Sequence, residues 1–140
     1  MNYSIENIIE FIKDLSGTEN VQKYSDIFGE IGMTGDDFHD MIERYATKYS
    51  VDMSDYLWYF HADEEGQSIG GHFFTPPYKS VKRIPVTPTM LTNFANKGKW
   101  DIQYPEHKLP KKRYDLLINE LLVGLFFAGL LIWFLIKWTM

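Results

Sequence analysis

The residues of this chain that could do metal chemistry are gathered in one acidic, histidine-bearing stretch. His61, Asp63, Glu64 and Glu65 are followed by His72, and imidazole and carboxylate groups are common ligands of divalent ions. Their spacing matches no established ligand pattern, because metal motifs repeat ligands at fixed short intervals. We therefore expect these side chains to be solvated loop residues, and the sequence predicts no metal site.

The usual catalytic patterns are also missing from the sequence. The chain contains no cysteine, which excludes a thiol nucleophile, disulfides and thiolate metal ligands. It contains no Gly-x-Ser-x-Gly motif, no phosphate-binding loop and no paired-glycine nucleotide fingerprint. Gly70 and Gly71 are adjacent, but two glycines alone indicate a turn rather than an anion site. We predict that the protein is not an enzyme and that it carries no cofactor.

Packing explains the aromatic content of 16%. Most aromatic side chains fall on predicted helix faces, in the hydrophobic run near the end of the chain, or beside Pro76 and Pro77. Nucleic-acid binding would require basic residues between them, yet residues 1 to 65 carry 15 acidic and 4 basic side chains. Nucleic acid is therefore not an expected partner.

A run without charged residues extends from Leu121 to Ile136 and predicts a membrane span. Extended backward to Leu116 it reaches roughly 20 residues, the length needed to cross a hydrocarbon core about 30 Å thick. The run is apolar on all sides, whereas a buried helix of a soluble domain usually keeps one polar stripe. Trp133 and Trp138 lie where interfacial aromatic residues are found. We predict one transmembrane helix at residues 116–138.

The basic residues beside this span predict its orientation. Lys108, Lys111, Lys112 and Arg113 precede it, and only Lys137 lies at its far end. Positive residues that flank a span are retained on the cytoplasmic side. The first 15 residues are acidic and lack the basic start and apolar core of a signal peptide. We expect a single-pass protein with its N-terminal domain in the cytoplasm.

The part of the chain before the span is long enough for one small domain. We place this domain at residues 1–102, and a basic linker with two prolines at residues 103–115. The predicted fold class is mainly α, with one C-terminal transmembrane helix. The glycine- and proline-rich stretch from Gly66 to Arg83 could be a loop or a short irregular hairpin.

Apolar residues at helical spacing, with capping residues at the ends, predict four helices in this domain. The first is capped by Ser4 and stopped by Gly17, the second is capped by Asp36 or Asp37 and ends near Ser50, the third runs from Asp55 to Phe60 behind Ser54, and the fourth runs from Thr87-Pro88 to Gly98. Trp100 is expected to pack over the end of the fourth helix.

An ordered set of short blocks resembles one bacterial family. The blocks are Asp26-Ile27-Phe28, Gly35-Asp36-Asp37-Phe38, Tyr49-Ser50-Val51-Asp52, Tyr59-Phe60, Pro85-Val86-Thr87, Met90-Leu91 and Gly98-Lys99-Trp100. The family is catalogued as domain of unknown function 1493 and is similar to acyl carrier proteins. The resemblance covers most of the chain before the span and implies a small carrier-like helical domain. With the span added, it implies a location at a bacterial inner membrane.

The resemblance also implies a test for a prosthetic group. A carrier protein esterifies phosphopantetheine to a serine at the start of its second helix, and Asp37 stands in the position of that serine. A carboxylate cannot act as the accepting hydroxyl, and Thr34, the nearest hydroxyl, lies before the helix and is more hindered. We expect no phosphopantetheine. The alternative is an acyl carrier protein that serves a membrane-bound lipid-modifying system.

Acidic side chains on the second helix are candidates for binding a protein partner, because carrier proteins dock on basic enzymes through this helix. Asp40 and Glu43 lie one turn apart on its polar side. Asp36 and Asp37 are better explained as helix capping, since carboxylates stabilise a helix N-terminus without any partner. The sequence therefore favours Asp40 and Glu43 as contact residues.

The span offers a second candidate surface. Gly124 and Ala128 are four residues apart, a spacing that lets two helices approach closely, although small residues are also common where a helix only faces lipid. A homodimer through this face is one interpretation. Together the sequence observations predict a non-enzymatic interaction or regulatory module held at the membrane.

Overall fold

The computed structural model describes residues 2–65 and 69–139. These residues form five α-helices and two 3₁₀ turns and contain no β-strand. The helices are α1 (Ile5–Ser16), α2 (Gly35–Tyr49), α3 (Gly70–Phe73), α4 (Pro88–Lys97) and α5 (Tyr114–Thr139), and the 3₁₀ turns are Trp58–Phe60 and Pro77–Lys79. The predicted fold class, a small helical domain followed by one long apolar helix, is confirmed.

The described residues fall into two compact units. The first unit contains residues 2–65 and 81–107, with α1, α2 and α4, and the second contains residues 69–80 and 108–139, with α3 and α5. The first unit carries 17 acidic and 8 basic side chains, a net charge of −9, and the second carries 2 acidic and 6 basic, a net charge of +4. The first unit continues to His107, beyond the boundary that we place at residue 102.

α1 begins and ends where the sequence predicts. Ser4 Oγ accepts a hydrogen bond from the backbone N–H of Asn7 at 3.4 Å, and Asn7 Oδ1 accepts one from the N–H of Ser4 at 3.0 Å. Gly17 ends the helix in the left-handed region with a φ of 68°, a conformation that glycine adopts at little cost because it has no Cβ.

α2 begins earlier than the sequence predicts, because its N-cap is Thr34. The prediction that Asp36 or Asp37 caps this helix was wrong, since both lie within its first turn and are exposed. The early start depends on Gly35, which has a φ of 52° and packs against Glu65. A Cβ at Gly35 would lie 2.9 Å from the Cβ of Glu65, so a tertiary contact determines where α2 begins.

The apolar faces of α1, α2 and α4 contribute to one core in the first unit. The buried face of α2 is the one that the sequence predicts, namely Phe38, Met41, Ile42, Tyr45 and Tyr49. Tyr45 donates a hydrogen bond from its hydroxyl to the carbonyl of Leu91 in α4, at 2.5 Å. Tyr49 donates one to the carbonyl of Asn7 in α1, at 3.1 Å. These two hydrogen bonds therefore connect α2 to both α1 and α4.

α4 also confirms the sequence-based prediction. Thr87 Oγ1 accepts a hydrogen bond from the N–H of Met90 at 3.3 Å, and Gly98 ends the helix with a φ of 73°. Trp100 is fully buried and packs over the helix end as expected, with its ring centroid 4.7 Å from that of Phe94.

The predicted helix from Asp55 to Phe60 was wrong. Only Trp58–Phe60 is helical, as a single 3₁₀ turn, and Ser54 does not act as a helix cap. Its N–H donates instead to the carboxylate of Asp52 at 2.9 Å. The backbone of Asp52 is paired with the residues that follow α4. This pairing keeps the chain extended just before the place where the helix was expected to start.

In the second unit, α3 lies against the first turns of α5. The N–H of Gly70 donates to Asn119 Oδ1 at 2.9 Å, and the ring centroids of Phe74 and Tyr114 are 5.4 Å apart. A Cβ at Gly70 would overlap the backbone carbonyl of Asp115, so this approach requires glycine. The described part of the stretch expected to be a loop or hairpin thus forms short helical turns.

α5 has 26 residues, which at 1.5 Å per residue gives a helix about 39 Å long. Among the described residues it is the helix that is long and apolar enough to cross a membrane, and none of its most apolar part is buried in the protein. The span predicted at residues 116–138 lies within this helix. The prediction of one candidate transmembrane helix is confirmed.

Candidate functional site

Four carboxylates at the start of α2 form an exposed acidic face. They are Asp36, Asp37, Asp40 and Glu43, and all four side chains are exposed. Asp36 and Asp37 lie in the first turn, where their charge complements the positive end of the helix dipole. Since neither caps the helix, their carboxylates point to solvent together with the two predicted contact residues.

A cleft of about 260 Å³ lies between the end of α1 and the start of α2. Asp37 and Asp40 line it on one side, and Asp14 lines it from α1. Leu15 and Met33 add apolar surface to its lining, and Arg44 also lines it, paired with Asp40. A cleft with carboxylates and some apolar surface suits a lysine or arginine side chain, whose aliphatic stem can pack while its charged end meets the carboxylates.

Asp40, which the sequence predicts to contact a partner, already forms an ion pair within the chain. Its Oδ2 atom lies 2.8 Å from Nε of Arg44, one helical turn away, and both side chains are more than half exposed, at 55% and 59%. An exposed ion pair at this spacing is worth only about 0.3 to 0.5 kcal/mol, so a charged partner could displace it. Among the described residues, Asp37 and Glu43 form no ion pair.

The two small residues of the predicted helix interface are exposed on α5. The structure leaves both Gly124 and Ala128 exposed, and a Cβ added at Gly124 would meet no atom within 4 Å. This surface is open along α5, so lipid or a second helix can lie against it.

His61 lies in the core, and the expectation that it is a solvated loop residue was wrong. Its side chain is fully buried, and its Nδ1 lies 2.9 Å from the carbonyl oxygen of Ile84. Its Nε2 lies 2.8 Å from the hydroxyl of Tyr104, and its ring stacks on Tyr56 with centroids 5.6 Å apart. The imidazole is therefore held on two edges and one face.

The partners of Tyr104 assign the tautomer of His61. The Tyr104 oxygen accepts hydrogen bonds from Trp100 Nε1–H at 2.8 Å and from the N–H of Leu57 at 3.2 Å. Its own proton is then free to be donated to His61 Nε2, while His61 Nδ1–H donates to Ile84. The hydrogen-bonding groups of His61, Tyr104 and Trp100 are all satisfied only when His61 is neutral. Burial, with the charge of Arg83 as a smaller cause, lowers the pKa of His61 to about 4, against the opposing effect of the bond to Ile84.

Two other residues of the expected loop cluster, Asp63 and Glu65, have neighbours of their own in the first unit. The carbonyl of Asp63 lies 3.3 Å from Nε2 of His39, and Glu65 packs against Gly35. His72 belongs to the second unit. Within residues 2–65 and 69–139, no three side chains of the metal-ligating types form a group.

Sequence reasoning missed the cluster in which the buried side chains of His61 and Trp100 meet the half-buried Tyr104. The available signal was weak: His61 directly follows an aromatic run, and Trp100 and Tyr104 are four residues apart in a stretch without helical periodicity. His107 was also missed, and its Nε2 lies 2.8 Å from the hydroxyl of Tyr59. These contacts hold the stretch after α4 against the core of the first unit.

The blocks that carry the family resemblance contact one another in the fold. Ile27 N–H donates to the carbonyl of Val86 at 3.0 Å, which joins the first block to the fifth. Asp52 N–H donates to the carbonyl of Gly98 at 2.9 Å, and Trp100 N–H donates to the carbonyl of Asp52 at 2.8 Å. Residues far apart in the sequence thus form two junctions beside α4.

Neither protein-family models, nor curated proteins, nor solved structures give a match to this chain. The resemblance to the domain of unknown function 1493 family and to acyl carrier proteins therefore stays a prediction, carried by the quoted blocks.

Proposed function

We propose that this chain is a non-enzymatic interaction module, tethered by α5 to a bacterial inner membrane with its first unit in the cytoplasm. In this proposal the module recruits or regulates a basic protein partner and carries no phosphopantetheine. The observation that carries the proposal is the exposed acidic face of α2, with Asp37 and Asp40 on the rim of the cleft between α1 and α2.

The charge of the two units supports a basic protein as the partner. The first unit has a net charge of −9 and the second a net charge of +4. An acidic unit is repelled by the anionic lipids of a cytoplasmic leaflet, and it attracts basic surfaces from solution. The acidic face of α2 is therefore better suited to a lysine- or arginine-rich protein surface than to lipid.

Two other functions, an acyl carrier and an enzyme, are less well supported by the residues of the first unit. An acyl carrier needs an esterifiable hydroxyl near the start of α2, where Asp37 supplies a carboxylate and Thr34 an exposed hydroxyl that makes no capping bond. An enzyme needs a group with tuned reactivity. The most strongly shifted histidine, His61, is instead enclosed by its own hydrogen bonds, so neither alternative is preferred.

Charge reversal on α2 tests the proposal. The full chain with Asp40→Lys and Glu43→Lys is compared with the native chain by photo-crosslinking in native membranes, followed by identification of the captured protein. We expect one basic partner that is captured by the native chain and lost with the double variant. The thermal midpoint of the first unit should fall little, because these side chains are exposed and the pair of Asp40 with Arg44 is weak.

A matched control makes the same change in net charge at a different part of the first unit. Asp55→Lys with Asp101→Lys makes the same change near the other end of α2, where both carboxylates also face exposed lysines. This control should still capture the partner. Equal capture by all three proteins, or equal loss in both variants, would contradict the acidic face as the docking surface.

The orientation is tested separately. Protease added to sealed inner-membrane vesicles and to intact spheroplasts should remove the first unit only where the cytoplasmic side is exposed. Removal from intact spheroplasts would contradict the proposed topology, which rests on Lys108, Lys111, Lys112 and Arg113 before the span.

A further inference from the structure

The segment from Ile69 to Ser80, here called the collar segment, lies beside the start of α5. Its contacts reach Tyr114, Asp115 and Asn119, which precede Leu121 by two to seven residues. At 1.5 Å per residue these contacts lie about 3 to 10 Å before the uncharged run. The polar layer on each side of a bilayer is roughly 5 to 8 Å thick. Because the span predicted at residues 116–138 begins between Asp115 and Asn119, the collar segment is therefore at the boundary between the lipid headgroups and the hydrocarbon.

The collar segment exposes large apolar side chains at this depth. Ile69 is 57% exposed, Phe73 is 73% exposed and Phe74 is 43% exposed. Phe74 touches Tyr114, which is itself 44% exposed. The apolar patch is thus continuous with the surface of α5, which must be covered by lipid in any membrane-inserted state.

The charges around this patch have one dominant sign. Lys79 follows Phe74 in the collar segment, and Lys108, Lys111 and Lys112 lie in the stretch that leads to α5; all four are exposed. Of the two acidic residues in this unit, Asp115 is buried and paired with Arg113 at 2.6 Å, whereas Glu120 is exposed; the six basic residues outnumber them. Apolar side chains bordered by lysines form the pattern of elements that lie in the interface of an anionic membrane.

We propose that the collar segment is a second membrane contact, in which Ile69, Phe73 and Phe74 enter the headgroup layer of an anionic bilayer beside α5. This rests on the proposed function only in requiring that α5 spans the membrane. Lipid is the occupant because the patch continues the lipid-facing surface of α5 and lies at headgroup depth. A protein would have to displace lipid from the same place.

The chain has no cysteine, so a single cysteine can carry a polarity-sensitive NBD label. The full-length Phe73→Cys protein is labelled and reconstituted into phosphatidylcholine vesicles with and without phosphatidylglycerol. Lipids with a spin label at the headgroup or deep in the acyl chain are then added as quenchers. We expect a blue shift of NBD emission, and stronger quenching by the headgroup label than by the deep label.

Two further labelled positions serve as references, one for the hydrocarbon and one for the first unit. Leu125→Cys lies in the uncharged run of α5 and should be quenched most by the deep label. Glu43→Cys lies on α2 in the first unit and should be quenched by neither. A third variant, Lys111→Gln with Lys112→Gln in the Phe73→Cys protein, should reduce the extra blue shift that phosphatidylglycerol produces.

The outcomes separate the two proposals. If Leu125→Cys is not quenched, α5 does not insert, and both the membrane tether and the collar contact are overturned. If Leu125→Cys is quenched while Phe73→Cys behaves like Glu43→Cys, only the collar contact is overturned. If the blue shift at Phe73→Cys grows with the ratio of protein to lipid and headgroup quenching is absent, a second copy of the chain covers the patch, and the lipid assignment is wrong.

Discussion

The Nε2 atom of His61 lies 2.8 Å from the hydroxyl of Tyr104, and this contact binds the stretch after α4 to the core of the first unit. Because the Tyr104 oxygen already accepts two N–H groups, its proton is directed to His61. A protonated imidazole would turn this contact into two opposed donors and would place a charge in an apolar site near Arg83.

The first prediction is that stability falls in mild acid because of His61. Its pKa is about 4 in the folded chain against an ordinary value of 6.5, so the unfolded state binds more protons between these two values. The stabilising contribution is complete above pH 6.5 and is lost as the pH falls toward 4, with a total of roughly 3 kcal/mol. Urea titrations of the free energy of unfolding across this range measure the slope.

The control for this prediction is His61→Gln, which cannot titrate. The variant has a lower free energy of unfolding at every pH because its hydrogen bonds are imperfect. The comparison therefore uses the slope of the free energy of unfolding with pH and not its absolute value. The native protein should show the steeper loss between pH 6.5 and 4. Parallel slopes would mean that other groups cause the acid sensitivity.

The second prediction concerns Tyr104→Phe. Removing the hydroxyl takes away the hydrogen-bond partner of three groups: Trp100 Nε1–H, His61 Nε2 and the backbone N–H of Leu57. Each buried polar group left unpaired costs about 1 to 3 kcal/mol, and we expect a total loss of roughly 2 to 4 kcal/mol when relaxation is allowed. Chemical denaturation measures it. Tyr24→Phe, at a tyrosine that is 67% exposed, should change little, and equal effects at both positions would contradict the role of the network.

Local signals predicted the helix ends that depend on the chain itself. Ser4, Gly17, Thr87 and Gly98 act through neighbours within a few residues, and such effects are readable from spacing. The start of α2 was predicted wrongly because it depends on Gly35 packing against a residue thirty positions away. Tertiary contacts of this kind leave no periodic pattern.

Among the candidate site residues, those whose environment depends on local helical periodicity were predicted correctly, and those whose environment depends on distant contacts were not. The exposure of Asp40 and Glu43 follows from helical periodicity, since the opposite face of α2 is the apolar one. The burial of His61 does not, because its partners Ile84 and Tyr104 are distant in sequence. A histidine in a polar stretch of sequence is predicted to be solvated unless it is known that another segment packs over it.

The third prediction is that the chain carries no phosphopantetheine. Asp37 offers a carboxylate where an accepting hydroxyl is needed. The native chain and Asp37→Ser are each expressed with a phosphopantetheinyl transferase, and their intact masses are measured. The native mass should equal the value calculated from the sequence. An added arm on the native chain would contradict the prediction, and its loss in Thr34→Val would identify the exposed Thr34 as the acceptor.

The fourth prediction concerns association through the span. Gly124→Leu with Ala128→Leu fills the surface that would allow close approach of two helices. We expect this variant to abolish self-association in a membrane two-hybrid assay. Phe126→Leu changes a neighbouring position on another face of α5 and should keep the signal. An unaltered signal in the double variant would dismiss this interface and leave lipid as the neighbour of the small residues.

The fifth prediction is that Gly70→Ala detaches α3 from α5. The added Cβ would overlap the backbone carbonyl of Asp115, which cannot move without distorting α5. Backbone overlap of this kind costs roughly 1 to 3 kcal/mol, enough to weaken the hydrogen bond from Gly70 N–H to Asn119. Hydrogen exchange measured by mass spectrometry should become roughly ten- to hundredfold faster for the collar segment.

The first unit serves as an internal reference for this experiment, because its amides belong to a separate compact unit and should keep their native protection. Gly124→Ala is the matched control, since a Cβ at Gly124 meets no atom within 4 Å. If Gly70→Ala leaves collar exchange at the native rate, the close contact with Asp115 is not what holds α3 on α5. The headgroup depth inferred for Phe73 would then lose its geometric basis.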